Sequence, residues 1–433
     1  MNISINNIRL TLILIVTFLT GILFINLTED ILYHIFTLCF FCLVSAKIVN
    51  FDILHPYLWF SGFMCLYSIS YPLLCYIGIY STSGYRKEIM VYQLTAMFVG
   101  CLVSGANKNK KININNIKQI HIDVHLINKL LYFFIVISIL LATVFVSKTG
   151  YIGKDDVYEN GGLVLNFIFK LPLVLTIIYT ISVLSYISQK KSLPLKQIIG
   201  VGFTLLVLTL YSGERDFFFR FIMVNLFIFW YMGRIKAKHL ILLIPLLSII
   251  IPLSSAFKYY FTRGVVYNQE LSILHSFLAG EFESSAKNLQ LLVTNKDVTE
   301  GVFGYKQILL DFVSVFIKSI KSPSSWFNTT FFPWSKSQYG FSLVGEGYII
   351  DGFMGIVVLF SIIGLIIRFF YRNAHRNIYW LSSYFYFITV TIYSFRGDLG
   401  TILSAVIKQI GFVLILLVLF QKICNKKGFH LKF

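Results

Sequence analysis

Long runs of apolar residues follow one another along almost the whole chain, and short polar turns separate them. About 20 apolar residues in helical form cross the hydrocarbon core of a bilayer. The pattern therefore predicts an all-α, polytopic integral membrane protein, with residues 1–433 forming a single membrane domain of about twelve transmembrane helices. The predicted spans are 9–27, 31–49, 56–79, 88–104, 130–148, 163–187, 197–212, 216–233, 239–257, 343–367, 377–395 and 400–420.

One long segment, 258–342, interrupts this series between spans nine and ten. Within it, residues 305–321 alternate apolar stretches with lysine and aspartate, which predicts an amphipathic helix at the membrane interface. The aromatic run that follows includes Trp326 and Trp334, residue types that anchor at headgroup level or stack on sugar rings. Loops of this length are usually functional, so we expect the segment to take part in the activity.

Basic residues in the connecting loops predict the orientation. If the N-terminus is cytoplasmic, 20 of the 37 basic residues fall in cytoplasmic segments, accompanied there by only two acidic residues. Cytoplasmic loops carry such an excess of lysine and arginine. We therefore expect both termini in the cytoplasm and the 258–342 segment outside.

Composition supports the membrane class and limits the chemistry. The chain is 57% hydrophobic and 13% charged, with mean hydropathy +0.76. The net charge of +18 follows from the loop asymmetry, so no nucleic-acid partner is predicted. Cys39 and Cys42 lie inside an apolar run without a second ligand pair, and no metal site is predicted. A site on the outer side of the membrane has no access to nucleotides. This favours a substrate that carries its own activated bond.

Charged residues gather at the predicted outer ends of the spans. Arg215, Arg263 and Arg396 each lie at such an end, and planar guanidinium groups match phosphate oxygens two at a time. These three arginines are therefore candidates for binding a lipid diphosphate. The alternative for Arg396 is an ion pair with Asp398 in its own turn, and Asp216 offers a local counter-ion to the neighbouring arginines.

Two further residues are candidates for acid–base chemistry. Glu346 is flanked by Gly345 and Gly347, which permit close approach of a ligand or of another backbone. Its carboxylate is a candidate general base or a counter-ion for an arginine. His275 in the long segment is the other candidate base, although a lone loop histidine is more often structural. The candidate substrate-binding residues are Arg220, Lys258, Glu214, Asp398, Trp326, Trp334 and Lys408.

Three stretches resemble a known family. They are YSGERDFFF, which leads into span eight, SLVGEGYIIDGFMGIVVLFSIIGL, which enters span ten, and RGDLG between the last two spans. Together with the large late outer loop, they resemble the Wzy-type O-antigen (oligosaccharide repeat unit) polymerases of bacterial inner membranes. The resemblance extends over most of spans seven to twelve.

The resemblance implies a GT-C-like fold and a metal- and nucleotide-independent glycosyltransferase without a cofactor. It implies that the growing glycan passes from undecaprenyl diphosphate to the next lipid-linked oligosaccharide at the periplasmic face, among membrane lipids and with a chain-length-regulating co-polymerase. Arg215 and Arg396 match arginines of the family, and Glu346 matches its acidic residue. Arg263 is added from its placement, and Glu346 or His275 is expected to activate the acceptor hydroxyl.

Two other functions compete with this interpretation. An O-antigen ligase has similar size and topology and requires a loop histidine as its base, which makes His275 the discriminating residue. A lipid-linked oligosaccharide flippase also has about twelve spans, but we expect it to show two similar halves and no large outer loop. Two similar halves are not apparent in this sequence. A proton-coupled transporter would need acidic residues within its spans, and the predicted spans contain almost none.

Overall fold

The computed structural model describes residues 5–105, 112, 124–149, 162–189, 193–212, 216–236, 278, 282–317, 320–334 and 340–425. These residues form helices and connecting loops, and no β-strand occurs among them. The first eight α-helices are α1 (Ile5–Leu27), α2 (Ile31–Ile48), α3 (Pro56–Tyr76), α4 (Glu88–Ser104), α5 (Val124–Thr149), α6 (Gly162–Ser188), α7 (Leu195–Ser212) and α8 (Asp216–Tyr231). The others are α9 (Glu283–Thr294), α10 (Lys296–Thr299), α11 (Lys306–Ser314), α12 (Pro323–Phe331), α13 (Leu343–Ala374), α14 (Ile378–Ser394), α15 (Leu399–Ser404) and α16 (Phe412–Asn425), with a π-helical segment, Ala405–Gly411, joining the last two.

The helices agree with the predicted spans wherever the structure describes the chain. Eleven of the twelve predicted spans coincide with helices, and span 239–257 lies outside the described residues. Six of the described helical stretches are long and apolar enough to cross a membrane: Ile8–Leu27, Ile31–Ile48, Pro56–Tyr76, Lys170–Ser188, Leu343–Ala374 and Leu399–Leu419. The protein is therefore an integral membrane protein, and the count of twelve spans stays a prediction.

The tenth predicted span is not one straight helix. Asp351 and Gly352 leave helical geometry, and Gly352 has φ +51°, which favours glycine because it has no Cβ. The break divides α13 into a short arm, 343–350, and a long arm, 353–374. The short arm folds back, so that a Cβ built on Gly347 would lie 2.7 Å from Ile356 Cα. Every residue of the short arm is buried.

Backbone hydrogen bonds from neighbouring loops fasten both ends of the short arm. At its start, Phe341 N donates to Arg396 O at 2.7 Å, and Leu343 N donates to Phe395 O at 3.2 Å. At its end, the carbonyls of residues 348 and 349 accept from Gly301 N and Phe303 N at 3.3 and 3.0 Å. Terminal helical carbonyls need such partners when they are buried away from water. The short arm is thus held by the α10–α11 connection and by the 395–398 turn.

Helix α9 attaches the 258–342 segment to the helix bundle. Its Glu283 carboxylate accepts from Tyr80 Oη at 2.9 Å, and Gln290 Oε1 accepts from Arg86 N at 3.0 Å. On another side of the helix, Ser285 Oγ donates to Phe395 O at 2.9 Å. Helix α9 therefore links the α3–α4 loop to the turn between α14 and α15.

The connecting loops sort into two groups at opposite ends of the bundle. At one end, the Glu29–Lys87 ion pair and the contacts of α9 join loops that were all predicted to lie outside. At the other end, Trp230 Nε1 donates to Asp52 Oδ1 at 3.1 Å, and both residues lie at ends that were predicted to be cytoplasmic. This grouping is what a chain that crosses the membrane back and forth requires.

Helix α11 differs from the amphipathic helix predicted over 305–321. It ends at Ser314, and its polar residues Gln307 and Asp311 face the protein interior. Its apolar residues Leu309 and Phe312 are 71% and 50% exposed. The helix is therefore shorter than the pattern predicted, and its polar side has partners inside the protein rather than in water.

The fold of α13 generates a stability prediction. Gly347→Ala should lower the free energy of unfolding by ~1–3 kcal/mol, because its Cβ would meet the backbone of Ile356. The matched control is Gly200→Ala in α7, where an added Cβ meets nothing within 4 Å. Alanine also favours a helix over glycine, so the control should melt at or slightly above the wild-type temperature. Equal melting temperatures for the two purified variants would contradict the tight packing of the short arm.

Candidate active site

The short arm positions Glu346, whose side chain is completely buried. Its Oε2 accepts a hydrogen bond from Leu399 N at 2.7 Å. Leu399 begins α15, and Asp398 caps that helix by accepting from Thr401 N and Thr401 Oγ1 at 2.9 and 2.7 Å. The glycines beside Glu346 were expected to allow a close approach, and the group that approaches Gly347 is the chain's own backbone. Glu346 and Asp398 thus stabilise the start of the same helix.

Asp311 of α11 lies against Glu346, and sequence reasoning missed it as a site residue. Gln307 Nε2 donates to Asp311 Oδ1 at 2.7 Å. The second oxygens, Asp311 Oδ2 and Glu346 Oε1, are both buried, and within the described part of the chain they have no partner except the opposite carboxyl group. Burial raises the pKa of Asp311 to about 6; hydrogen bonds from Glu346 and Gln307 oppose this rise, and the charge of Asp398 adds to it.

Arg220 lies inside the protein next to α14. Its guanidinium forms an ion pair with Asp216, one turn earlier, with Nη2 at 2.7 Å from Oδ2. Nη1 donates to Tyr386 Oη at 3.2 Å. The expectation that Asp216 offers a counter-ion to a neighbouring arginine is confirmed for Arg220. A buried arginine needs this compensation because an unpaired charge is costly away from water.

The ring of Tyr393 connects the two arginines that the structure describes. Arg220 Cζ lies 5.5 Å from the centroid of this ring, and Arg396 Cζ lies 4.7 Å from it. Such distances are those of cation–π contacts. Arg396 is half-buried, and its position at the end of α14 places it beside the start of the short arm. Tyr393 is a further residue that sequence reasoning missed, although its spacing from Arg396 is that of neighbours on a helix.

The aromatic run of the 258–342 segment is divided between the interior and the surface. Phe327 is fully buried, and its ring lies 5.1 Å from that of Phe341, which precedes the short arm. Trp326 packs edge-on against Phe303 at 5.1 Å. Trp334 is 76% exposed. One part of the run therefore supports the short arm, and Trp334 is available to a ligand or to lipid.

The π-helical segment carries Lys408, which is half-buried. Its neighbour Gln409 accepts a hydrogen bond from Tyr386 Oη. A π-helical turn inside an α-helix often marks a functional position. The segment thus lies beside the tyrosine that binds Arg220.

The structure brings several predicted site residues into one region and leaves others undescribed. Glu346 lies on the short arm, and Arg396 and Asp398 lie in the turn that is bonded to this arm. Arg220 is connected to them through the ring of Tyr393. Among the residues described, no group of three or more His, Cys, Asp or Glu is arranged to hold a metal ion. The predicted site residues outside the described part of the chain are Arg215, Arg263, His275, Lys258 and Glu214.

The buried ion pair generates a prediction about stability. Asp216→Ala leaves the Arg220 charge buried without its counter-ion and should lower the free energy of unfolding by ~3–5 kcal/mol. The control is Glu29→Ala, which removes one partner of the exposed Glu29–Lys87 pair and should leave stability nearly unchanged. Thermal melting of the purified variants checks both. A melting temperature for Asp216→Ala equal to that of the control would contradict the role of this pair.

A known protein family matches the last part of the chain. The family described as O-antigen polysaccharide polymerase Wzy matches residues 335–428, which include all of α13, α14, α15 and α16. The resemblance predicted from the sequence is thereby confirmed for this part of the chain. No curated protein and no solved structure matches the chain. Glu346, Arg396 and Asp398 lie inside the matched segment, whereas Asp216, Arg220 and Asp311 lie outside it.

Proposed function

We propose that the protein polymerises undecaprenyl-diphosphate-linked repeat units of an O-antigen or a similar polysaccharide. The observation that carries this proposal is the polymerase-family match over the segment that holds Glu346 on the short arm and Arg396 in the turn bonded to that arm. In the reaction, the bond between the anomeric carbon of the growing glycan and its lipid diphosphate breaks. A hydroxyl of the next lipid-linked unit forms the new glycosidic bond, its proton passes to a base, and undecaprenyl diphosphate leaves.

The arginines stabilise the departing diphosphate in this proposal. Arg396 acts together with Arg215 and Arg263, because negative charge develops on the leaving oxygen and fork-shaped donors bind phosphate in pairs. The contact of Arg396 with the Tyr393 ring supports this role, since it holds the guanidinium at one position while leaving it half-exposed. Substrate binding is assigned to Arg220, Lys258, Glu214, Asp398, Trp326, Trp334 and Lys408.

Glu346 or His275 takes the proton of the acceptor hydroxyl. The carboxyl of Glu346 is held by Leu399 N, which supports a fixed orientation for it. It is also completely buried, so its action as a base requires movement of the groups that cover it, Asp311 among them. A base must come within hydrogen-bond reach of the proton that it removes.

The site faces the periplasm, and the protein lies in the bacterial inner membrane with both termini cytoplasmic. We take the 258–342 segment as a periplasmic loop of a single, GT-C-like membrane domain with about twelve spans. The excess of basic residues in the opposite loops supports this orientation, and the sorting of loops to two ends of the bundle supports the alternation. Energy comes from the lipid diphosphate bond, without nucleotide, metal or cofactor, and a co-polymerase sets the chain length.

A cellular assay tests the function itself. Cells that lack the gene should make lipopolysaccharide capped with a single repeat unit, and a plasmid copy should restore a ladder of longer chains on a gel. Loss of surface sugar with polymer retained on the lipid carrier would instead indicate a ligase. Repeat units left on the cytoplasmic side would indicate a flippase. Either result, or an unchanged ladder, would contradict the proposal.

Arginine variants test the assignment of the diphosphate site. Arg396→Ala should shorten the ladder severely, and Arg396→Lys should restore it only in part, because lysine keeps the charge but not the two-pronged donor. The matched control is Arg376→Ala, which removes an exposed arginine at the opposite end of the bundle and should leave the ladder unchanged. A full ladder from Arg396→Ala at normal protein level would exclude Arg396 from the site.

A further inference from the structure

Two buried carboxyl groups from distant parts of the chain face each other at the short arm. Glu346 uses Oε2 to accept from Leu399 N, and Asp311 uses Oδ1 to accept from Gln307 Nε2. The remaining oxygen of each group is buried, and the described residues offer it no donor. Neither residue is exposed to water at all. The two free oxygens therefore have to satisfy each other.

Two carboxylates cannot do this, because both oxygens would be acceptors and both groups would carry negative charge. Like charges in contact repel strongly at low dielectric, and two carboxyl groups that share a site keep a proton between them. With one proton, the same two oxygens form an O–H···O hydrogen bond assisted by charge. A single shared proton thus removes the repulsion and gives each of the two oxygens a hydrogen-bond partner.

Among the residues that the structure describes, no cation acts on the two carboxyl groups in place of that proton. Within the described chain, the other charged group that acts on both carboxyls is Asp398, and its negative charge adds to the repulsion. Asp398 Oδ1 is itself engaged with Thr401. Helix α15 packs against α11 and presents Leu399 N to Glu346, and α11 presents Gln307 to Asp311. A proton is the ligand that fits this arrangement.

We propose that Asp311 is a positioning residue for Glu346, and that the two carboxyl groups share one proton which fastens α11 to the short arm of α13. The shared proton holds Glu346 against Leu399 N. It also joins α11, in the 258–342 segment, to α13, which lies in the segment that matches the polymerase family. Its consequence for catalysis rests on the proposed function, in which Glu346 is a candidate base. Release of Asp311 together with the shared proton would leave Glu346 as a carboxylate that can accept the proton of an acceptor hydroxyl.

The proposal predicts a pH dependence with a defined sign. Burial raises the pKa of Asp311 to about 6, so the docked carboxyl binds a proton more tightly than an undocked one, whose pKa is about 4. Docking of α11 should therefore be tightest below about pH 4 and weaken as the pH rises through about 6. The Asp311→Asn variant should lack this step, because its amide donates to Glu346 without titrating.

Hydrogen–deuterium exchange of the α11 amides tests docking without substrate. The experiment uses the full-length protein in lipid nanodiscs, with exchange rates corrected for the intrinsic effect of pH. We expect wild-type protection to fall several-fold between pH 4.5 and 7, and Asp311→Asn protection to stay constant. Asp311→Ala should exchange at least tenfold faster than wild type at pH 5. The matched control, Asp297→Ala at an exposed position of α10, should behave as wild type.

Two outcomes would overturn the proposal. One is the same pH dependence in wild type and Asp311→Asn, and the other is full protection in Asp311→Ala. If Asp311→Ala fails to fold, the comparison of Asp311→Asn with wild type still decides. The polymer ladder is a separate readout: Asp311→Asn should keep it and Asp311→Ala should shorten it. If the protein proves not to be a polymerase, the ladder prediction no longer applies, but the hydrogen-exchange prediction still does.

Discussion

The buried carboxyl of Glu346 is the interaction on which the arrangement of the site depends. It accepts from Leu399 N and faces Asp311, so one side chain binds the start of α15 and contacts α11. A buried acceptor of this kind needs a hydrogen-bond partner. Without one, a neutral group would destabilise the fold by roughly 1–3 kcal/mol, and a charged group by more. The short arm that carries Glu346 can therefore occupy only a position where both neighbours are present.

Hydrogen bonds of buried polar groups also attach the 258–342 segment to the bundle. Its helix α9 bonds the α3–α4 loop and the 395–398 turn, and the α10–α11 connection satisfies the last carbonyls of the short arm. Arg396 lies in that turn, with its guanidinium on Tyr393. The candidate site thus combines the 258–342 segment, the short arm formed by the break in α13, and the 395–398 turn.

The sequence predicted the helices well because membrane spans are defined by long apolar runs, and eleven of the twelve predicted spans coincide with helices. It also named Glu346, Arg396 and Asp398 as candidates, because charged residues at the ends of apolar runs are conspicuous, and the structure brings these three into one region. The break at Asp351–Gly352 was missed, since the apolar run continues on both sides of it, although Asp-Gly is a turn signal. Asp216 was anticipated as a counter-ion for a neighbouring arginine, and it forms an ion pair with Arg220, one helical turn away.

Asp311 was missed for a different physical reason. Its pattern indicated a polar face turned to water, and the structure turns that face inward, where Gln307 and Glu346 satisfy it. Local pattern shows that a helix has two faces, but the partner from a distant part of the chain decides which face is buried. The role of Tyr393 likewise depends on the packing of α8 against α14, which no local pattern contains.

Chain elongation by the purified protein tests the proposed reaction most directly. The full-length protein would be reconstituted in liposomes with undecaprenyl-diphosphate-linked repeat units, a chelator and no nucleotide, and the products separated by length. We expect lipid-linked chains of two or more units together with released undecaprenyl diphosphate. No elongation by folded protein under these conditions, with elongation restored by a nucleotide or a metal ion, would contradict it.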